Sequence, residues 1–283
     1  MDTLIYLNGE KVDYENAKIH VEDRGFLFGD GLYEVIRVYN GKFFYLEKHM
    51  ERLKKGAEQI YLELDFGPDT LVETIKKAVK ESGFKDASVY VQVTRGTAPR
   101  QHAFPTNAKC TWLVIVREAK PQPQEFYENG VEAITVPDER WTRCNIKTVQ
   151  LLANCIAKEK AKRAGAYEAI FHRGDIVTEA SSSNVFIVKD GTIFTHPANN
   201  LILHGITRFA VLELIKNNNF ELREEPFSKE KLFAADEVFL TGTMTEVMPI
   251  VKVDGKIIGD GVPGKITMKL IEDFRKLTET VDC

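Results

Sequence analysis

Thr178-Glu179-Ala180-Ser181-Ser182-Ser183-Asn184-Val185-Phe186 is followed by Ile193-Phe194-Thr195 and then by Leu203-His204-Gly205-Ile206-Thr207-Arg208. Asn184–Val188 and Thr192–Thr195 are β-branched and aromatic, and Asp190-Gly191 between them is a tight-turn dipeptide, so the pair predicts a hairpin. Ile206–Lys216 predicts a helix. Gly205 at its start lets the backbone approach a ligand closely, and the first amides of a helix favour an anion. By themselves these residues leave alternatives open. The serine run reads as a surface turn or as hydroxyls that orient a carboxylate or an anion. The glycine-helix junction reads as a plain helix start or as a phosphate site.

Outward from this stretch the second half alternates strand and helix. Val131–Val136, Tyr167–Phe171 and Glu237–Leu240 predict strands, and Ile250–Ile258 predicts a hairpin turning at Asp254-Gly255. Helices are predicted over Val149–Ala164, ended by Gly165, and over Gly264–Lys276. The first half predicts strands at Leu4–Leu7, Leu32–Tyr39, Lys42–Leu46, Ser88–Thr94 and Thr111–Val116. It also predicts helices at Glu47–Ile60 and Leu71–Val79. Pro121 and Pro123 stiffen a segment that cannot join a sheet. The predicted division is therefore an α/β domain over 1–119, a linker over 120–124 and a larger α/β domain over 125–283.

The composition limits the function classes. A formal net charge of −4 over 283 residues, with no run of like charges, argues against a nucleic-acid partner. The N-terminal residues lack a basic leader, and no segment approaches the ~18 apolar residues of a membrane helix, so a cytoplasmic protein with no membrane contact is expected. Cys110, Cys144, Cys155 and Cys283 form no CxxC pair and the histidines form no HExxH cluster, so reduced thiols and no metal are expected.

Three further segments carry candidate chemistry. Lys147 sits beside Ile146 and before Val149, Leu151 and Leu152 at a predicted strand-to-helix junction. It is either an ordinary solvated lysine or a desolvated one whose amine is freed as a nucleophile. Arg100 and His102 lie two apart in a long loop, so an extended backbone puts them on one side, where they either stay solvated or grip a carboxylate. Thr241-Gly242-Thr243-Met244-Thr245 is a second small, hydroxyl-rich loop suited to the same phosphate as the Gly205 junction, or a plain turn.

Taken together, the pieces from Glu179 to Arg208, with their mutual spacing, resemble the signature of the class IV (fold type IV) pyridoxal-phosphate aminotransferases. This family includes D-amino acid aminotransferases, branched-chain L-amino acid aminotransferases and aminodeoxychorismate lyases. The resemblance begins at Asp23-Arg24-Gly25-Phe26-Leu27-Phe28-Gly29-Asp30-Gly31-Leu32-Tyr33-Glu34-Val35 and runs past Thr243. The Arg100-Gln101-His102 arrangement is similar to the carboxylate trap of the D-amino acid enzymes.

The resemblance implies two α/β domains with pyridoxal 5'-phosphate between them, and a homodimer in which the Arg100–His102 loop serves the partner's site. It implies that Lys147 bonds the cofactor aldehyde and then carries the proton between substrate and cofactor carbons, and that Glu179 pairs with the pyridine nitrogen. Arg52, Ile206, Thr207 and Thr243 would bind the phosphate, and Leu203 would pack on the ring. Tyr33, Arg100 and His102 would hold the substrate carboxylate. The implied substrates are D-amino acids, D-alanine among them, and 2-oxo acids. A branched-chain L-amino acid aminotransferase, an aminodeoxychorismate lyase and a non-catalytic binder of phosphorylated small molecules are the rival expectations.

Overall fold

The computed structural model of the chain describes residues 3–280, so Cys283 and the outer ends of the predicted domains lie outside the described residues. The chain forms two compact units. One comprises residues 3–120 together with Ile146–Gln150, and the other comprises Pro121–Asn145 with Leu151–Thr280.

In the first unit, strands β1 (Thr3–Leu7), β2 (Glu10–Val12), β3 (Gly31–Tyr39), β4 (Lys42–Phe43), β5 (Ala87–Thr94) and β6 (Thr111–Glu118) form one sheet in the order β2-β1-β6-β5-β3-β4. Every pairing in it is antiparallel. Three helices accompany it: α1 (Arg24–Phe28), α2 (Leu46–Gln59) and α3 (Pro68–Ser82). The strands alternate in the way a sheet buried on one face requires. Leu32, Ile36 and Val38 of β3 share a core with Val89, Val91 and Val93, Val114 and Val116, Leu53 and Ala57 of α2, and Leu71, Ile75 and Ala78 of α3. Asn8-Gly9 and Asn40-Gly41 turn with positive φ at both residues, the geometry a two-residue hairpin demands.

Residues 146–150 complete this unit. The Tyr33 amide donates to the Lys147 carbonyl at 3.0 Å and the Val149 amide to the Gly31 carbonyl at 3.0 Å, so the segment runs against the start of β3. Ile146 is buried in the same core. This pairing corrects the expectation of a helix from Val149: the backbone there is committed to β3, and the helix begins only at Leu152. It also places Lys147 in the first unit, whereas the sequence division assigns it to the second.

The second unit carries a ten-stranded mixed sheet. Its strands are β7 (Val131–Pro137), β8 (Glu168–Arg173), β9 (Ile176–Ala180), β10 (Asn184–Lys189), β11 (Thr192–Thr195), β12 (Glu221–Glu224), β13 (Phe227–Ser228), β14 (Glu237–Gly242), β15 (Glu246–Val253) and β16 (Lys256–Ile257). The order is β12-β11-β10-β14-β15-β7-β8-β9-β13, with β16 on β15. Its helices are α4 (Gln124–Asn129), α5 (Leu152–Arg163), α6 (Ile206–Asn217), α7 (Lys229–Phe233) and α8 (Lys265–Thr280). Val185 to Val188 are all buried, as expected of a central strand covered on both faces, and Phe186 stacks on Phe239 of β14 at 4.9 Å. Glu179 lies on β9 and is buried, with Ser181 and Ser183 buried just beyond it. Ser182 between them is exposed, so the run is a bend that reaches the surface only at its middle residue.

Candidate active site

Lys147 is held by the pairing of its own backbone with β3, which fixes where its side chain starts. Its amino nitrogen lies 4.1 Å from the centroid of the Tyr33 ring, a cation–π distance. Tyr33 in turn stacks on Tyr90 of the neighbouring strand with centroids 5.7 Å apart. Two of the predicted residues are thus brought together, with the amine over an aromatic face.

Glu34 follows Tyr33 on β3 and points the other way, into the α2 side of the sheet. It takes Arg52 as a fork, Nε to Oε1 at 2.8 Å and Nη2 to Oε2 at 2.6 Å, and meets His49 Nδ1 at 2.7 Å. Burial alone would push the Glu34 carboxyl up, but the Arg52 charge and the hydrogen bonds from Arg52 and His49 outweigh it and hold the group down at about 2. Burial pulls His49 below its ordinary value against the attraction of Glu34, and the charges of Arg52 and Lys147 act in the same direction as burial. His49 is therefore the neutral donor of the trio. Arg52, predicted to bind a phosphate, leaves α2 as an arginine already oriented by a buried carboxylate.

Arg100 and His102 lie in the loop between β5 and β6, and both are exposed. They converge on one neighbour: the Arg100 guanidinium sits 5.1 Å over the Phe28 ring, and the His102 ring lies 5.8 Å from it.

In the second unit Glu179 is enclosed by donors. Arg140 Nη1 reaches Oε1 at 2.5 Å, while the Asn184 amide at 2.9 Å and the Leu203 backbone N–H at 3.0 Å reach Oε2. Burial pushes the Glu179 carboxyl up, against the pull of Arg140. Arg140 is itself locked by Asp138, which also takes Arg173. A carboxylate has about four lone-pair sites. Three are used, which leaves Oε1 one acceptor site for a further N–H.

The start of α6 adjoins this carboxylate through Asn184, whose side-chain amide also donates to the Leu203 carbonyl at 2.9 Å. A Cβ on Gly205 would lie 2.3 Å from Asn184 Oδ1, so only glycine fits where helix and strand meet. Gly205 supplies no side-chain cap to the first turn, and Thr207 is buried within it. Thr241 pairs with Asn184 across β14 and β10. Its hydroxyl is buried with no hydrogen-bond partner among the described residues. Thr243 stands in the turn just beyond. His204 is exposed and bonds the Asn199 carbonyl, and Met244 is partly exposed.

The serine run serves a different carboxylate. Glu168, fully buried on β8, accepts from the hydroxyls of Ser181, Ser182 (2.8 Å) and Ser183 (3.4 Å) and from the Ala169 amide at 2.9 Å. Lys158 stands 3.4 Å away.

The family model for class IV aminotransferases matches residues 31–253, which takes in Tyr33, Arg52, Arg100, His102, Lys147, Glu179, Leu203, Ile206, Thr207 and Thr243. The chain belongs to this family. Among its relatives, D-alanine aminotransferase of Staphylococcus epidermidis is 46% identical over 278 residues, covering 98% of this chain and 99% of that protein. The Staphylococcus aureus (strain N315) enzyme of the same name is 45% identical over 276 residues, covering 98% of each. The branched-chain amino acid aminotransferase of Escherichia coli, a solved structure, superposes with a TM-score of 0.91 at 28% identity over 97% of this chain and 94% of that one.

For a class IV aminotransferase the local chemistry fits the cofactor. A buried carboxylate with one acceptor site left suits a protonated ring nitrogen. A glycine-opened helix start beside an orphaned buried hydroxyl suits a phosphate ester. Sequence reasoning missed Arg140, Asp138 and Asn184 around Glu179, and Glu34 and His49 behind Arg52. The signal available for Glu34 was a carboxylate between apolar neighbours on a predicted strand. Arg140 had no sequence signal, because it lies in the bend after β7 while Glu179 is 39 residues away on β9.

Proposed function

We propose that this chain is a pyridoxal 5'-phosphate-dependent aminotransferase that moves the amino group of D-alanine and other D-amino acids to 2-oxoglutarate. The observation that carries the reading is the 45–46% identity to D-alanine aminotransferases over nearly the whole length of both chains. When bound, the cofactor supplies a carbon that exchanges nitrogen partners and a ring that draws electrons from the substrate Cα.

The chain's own residues do the rest. Lys147 would hold the cofactor until substrate arrives, and its Nζ would then carry the proton from the substrate Cα to the cofactor carbon, with the Tyr33 ring fixing the direction of the amine. Glu179, whose affinity for a proton is raised by burial, keeps a proton on the ring nitrogen. Arg52, the first amides of α6 at Ile206 and Thr207, and the Thr207 and Thr243 hydroxyls would bind the phosphate. Leu203, whose backbone already braces Glu179, packs on the ring. Tyr33, Arg100 and His102 hold the substrate carboxylate, with Arg100 offering its fork. The two half-reactions run in turn on one site. A homodimer, in which the exposed Arg100–His102 loop serves the partner's site, and a cytoplasmic location complete the proposal.

Initial rates with D-alanine and with L-leucine as donors to 2-oxoglutarate test it. A preference for D-alanine supports the reading. A preference for L-leucine moves the chain to the branched-chain enzymes, and pyruvate release with no acceptor needed moves it to the lyases.

A further inference from the structure

The loop between β5 and β6 carries Arg100 and His102, and it is tied down from beneath by the segment 22–24. The Arg24 amide donates to the Gly96 carbonyl at 2.9 Å and the Ala98 amide to the Glu22 carbonyl at 3.3 Å. Asp23 accepts from the Gly25 amide at 2.8 Å and from the Thr94 hydroxyl at 2.9 Å. Gly96 has φ +84°, and a Cβ there would lie 1.7 Å from the Lys109 carbonyl oxygen, so the two ends of the loop are pinched together at a point only glycine can occupy.

Arg24 is the part that reaches the tip. Its side chain is 3% exposed, and its Nη1 donates to the Gln101 carbonyl at 2.6 Å. Longer contacts run from Nη1 to the Ala103 carbonyl at 3.5 Å and from Nη2 to the His102 carbonyl at 3.4 Å. Its Nε is taken by Asp30 at 2.8 Å, and Asp30 takes Arg95 as well, at 2.8 and 3.1 Å. Phe104 lies 3.7 Å from the Arg95 guanidinium and 5.7 Å from that of Arg24. Phe28, the ring shared by Arg100 and His102, lies 4.7 Å from Arg24. A buried guanidinium thus grips three successive carbonyls of a loop whose side chains are exposed.

We infer that Arg24 is a positioning residue for the substrate clamp: through the carbonyls of 101–103 it fixes the backbone that aims Arg100 and His102. This rests on the assignment of those two residues to the substrate carboxylate. A lysine in place of Arg24 keeps the charge beside Asp30 but has no planar fork to span several carbonyls. The carboxylate is held alike in ground state and transition state, so loosening the clamp moves KM and spares kcat.

The test is Arg24→Lys beside Arg100→Ala, with steady-state kinetics on D-alanine, cofactor affinity and 15N order parameters of the backbone at 100–104. For Arg24→Lys we expect KM up about tenfold, the loss of one charge-assisted hydrogen bond, with kcat within about twofold, cofactor affinity unchanged and lower order parameters confined to the loop. An unchanged KM in Arg24→Lys while Arg100→Ala raises it overturns the inference, as does a fall in kcat and cofactor content with KM unmoved. An unchanged KM in Arg100→Ala sinks the clamp assignment instead, and the loop order parameters alone then decide whether Arg24 orders the backbone. Should Arg24→Lys fail to fold, the wild-type backbone decides: 15N order parameters of a flexible chain at 101–103 contradict the inference, and those of a rigid backbone support it.

Discussion

The Lys147 amine lies over the Tyr33 ring at 4.1 Å, and the Tyr33 amide is hydrogen-bonded to the Lys147 carbonyl at 3.0 Å. The two residues are therefore fixed to each other twice, through side chains and through backbone. Lys147→Ala should lose transamination by about 10³-fold or more, since it removes both the cofactor attachment and the proton carrier. Borohydride reduction of the wild type should leave the pyridoxyl label on the peptide containing Lys147. A label on any other lysine contradicts the assignment.

Glu179→Gln removes the charge and keeps the shape. The rate should fall by about 10²-fold, in kcat more than in KM, because the electron sink weakens in the transition state. The variant also leaves Arg140 facing an amide, so a modest drop in melting temperature should accompany the kinetic loss.

Glu34→Gln breaks a buried ionic trio. Leaving the Arg52 charge and the His49 ring without their carboxylate should cost about 3–5 kcal/mol in urea titrations at pH 7. Weaker cofactor retention should follow, because Arg52 loses the partner that orients it.

The same trio sets an acid limit. Glu34 is held near 2 in the fold against an ordinary 4.5, so the unfolded chain binds the extra proton between those values. Its stabilisation is complete above 4.5 and lost as pH falls toward about 2, about 3 kcal/mol over the full window. His49 is also held low, so its contribution has the same sign and begins to fade below 6.5. The stability gap between wild type and Glu34→Gln should therefore shrink on acidification from about pH 7 to about pH 3. A gap that stays constant rules out Glu34 as the titrating group.

Glu168 and the three serines form a second polar knot, buried except at the exposed Ser182. Glu168→Ala leaves several hydroxyls and an amide without their acceptor and should destabilise the chain by about 2–4 kcal/mol. Single Ser182→Ala should cost about 1 kcal/mol or less. Chemical denaturation of the two variants checks the contrast.

The hairpins and the amphipathic helices were legible because their signals are local. Asn40-Gly41, Asp190-Gly191 and Asp254-Gly255 turn where the dipeptides predict. Gly165 takes the left-handed conformation expected after α5. What failed was non-local. The segment at Lys147 reads as the entry to a helix, but its hydrogen bonds go to β3, in a distant part of the chain. The serine run has the composition of a surface turn, yet Glu168 on another strand absorbs its hydroxyls. At the site, residue types with a single chemical use, such as Lys147 and Glu179, were readable through the family signature. The residues that brace them, Arg140, Asn184 and Glu34, acquire meaning only from the strand or helix placed opposite.

The most direct measurement is the chirality of the glutamate formed from D-alanine and 2-oxoglutarate by the wild type and by Lys147→Ala. The structure and its relatives predict D-glutamate from the wild type and none from the variant. L-glutamate from the wild type, or equal D-glutamate from both proteins, contradicts the account.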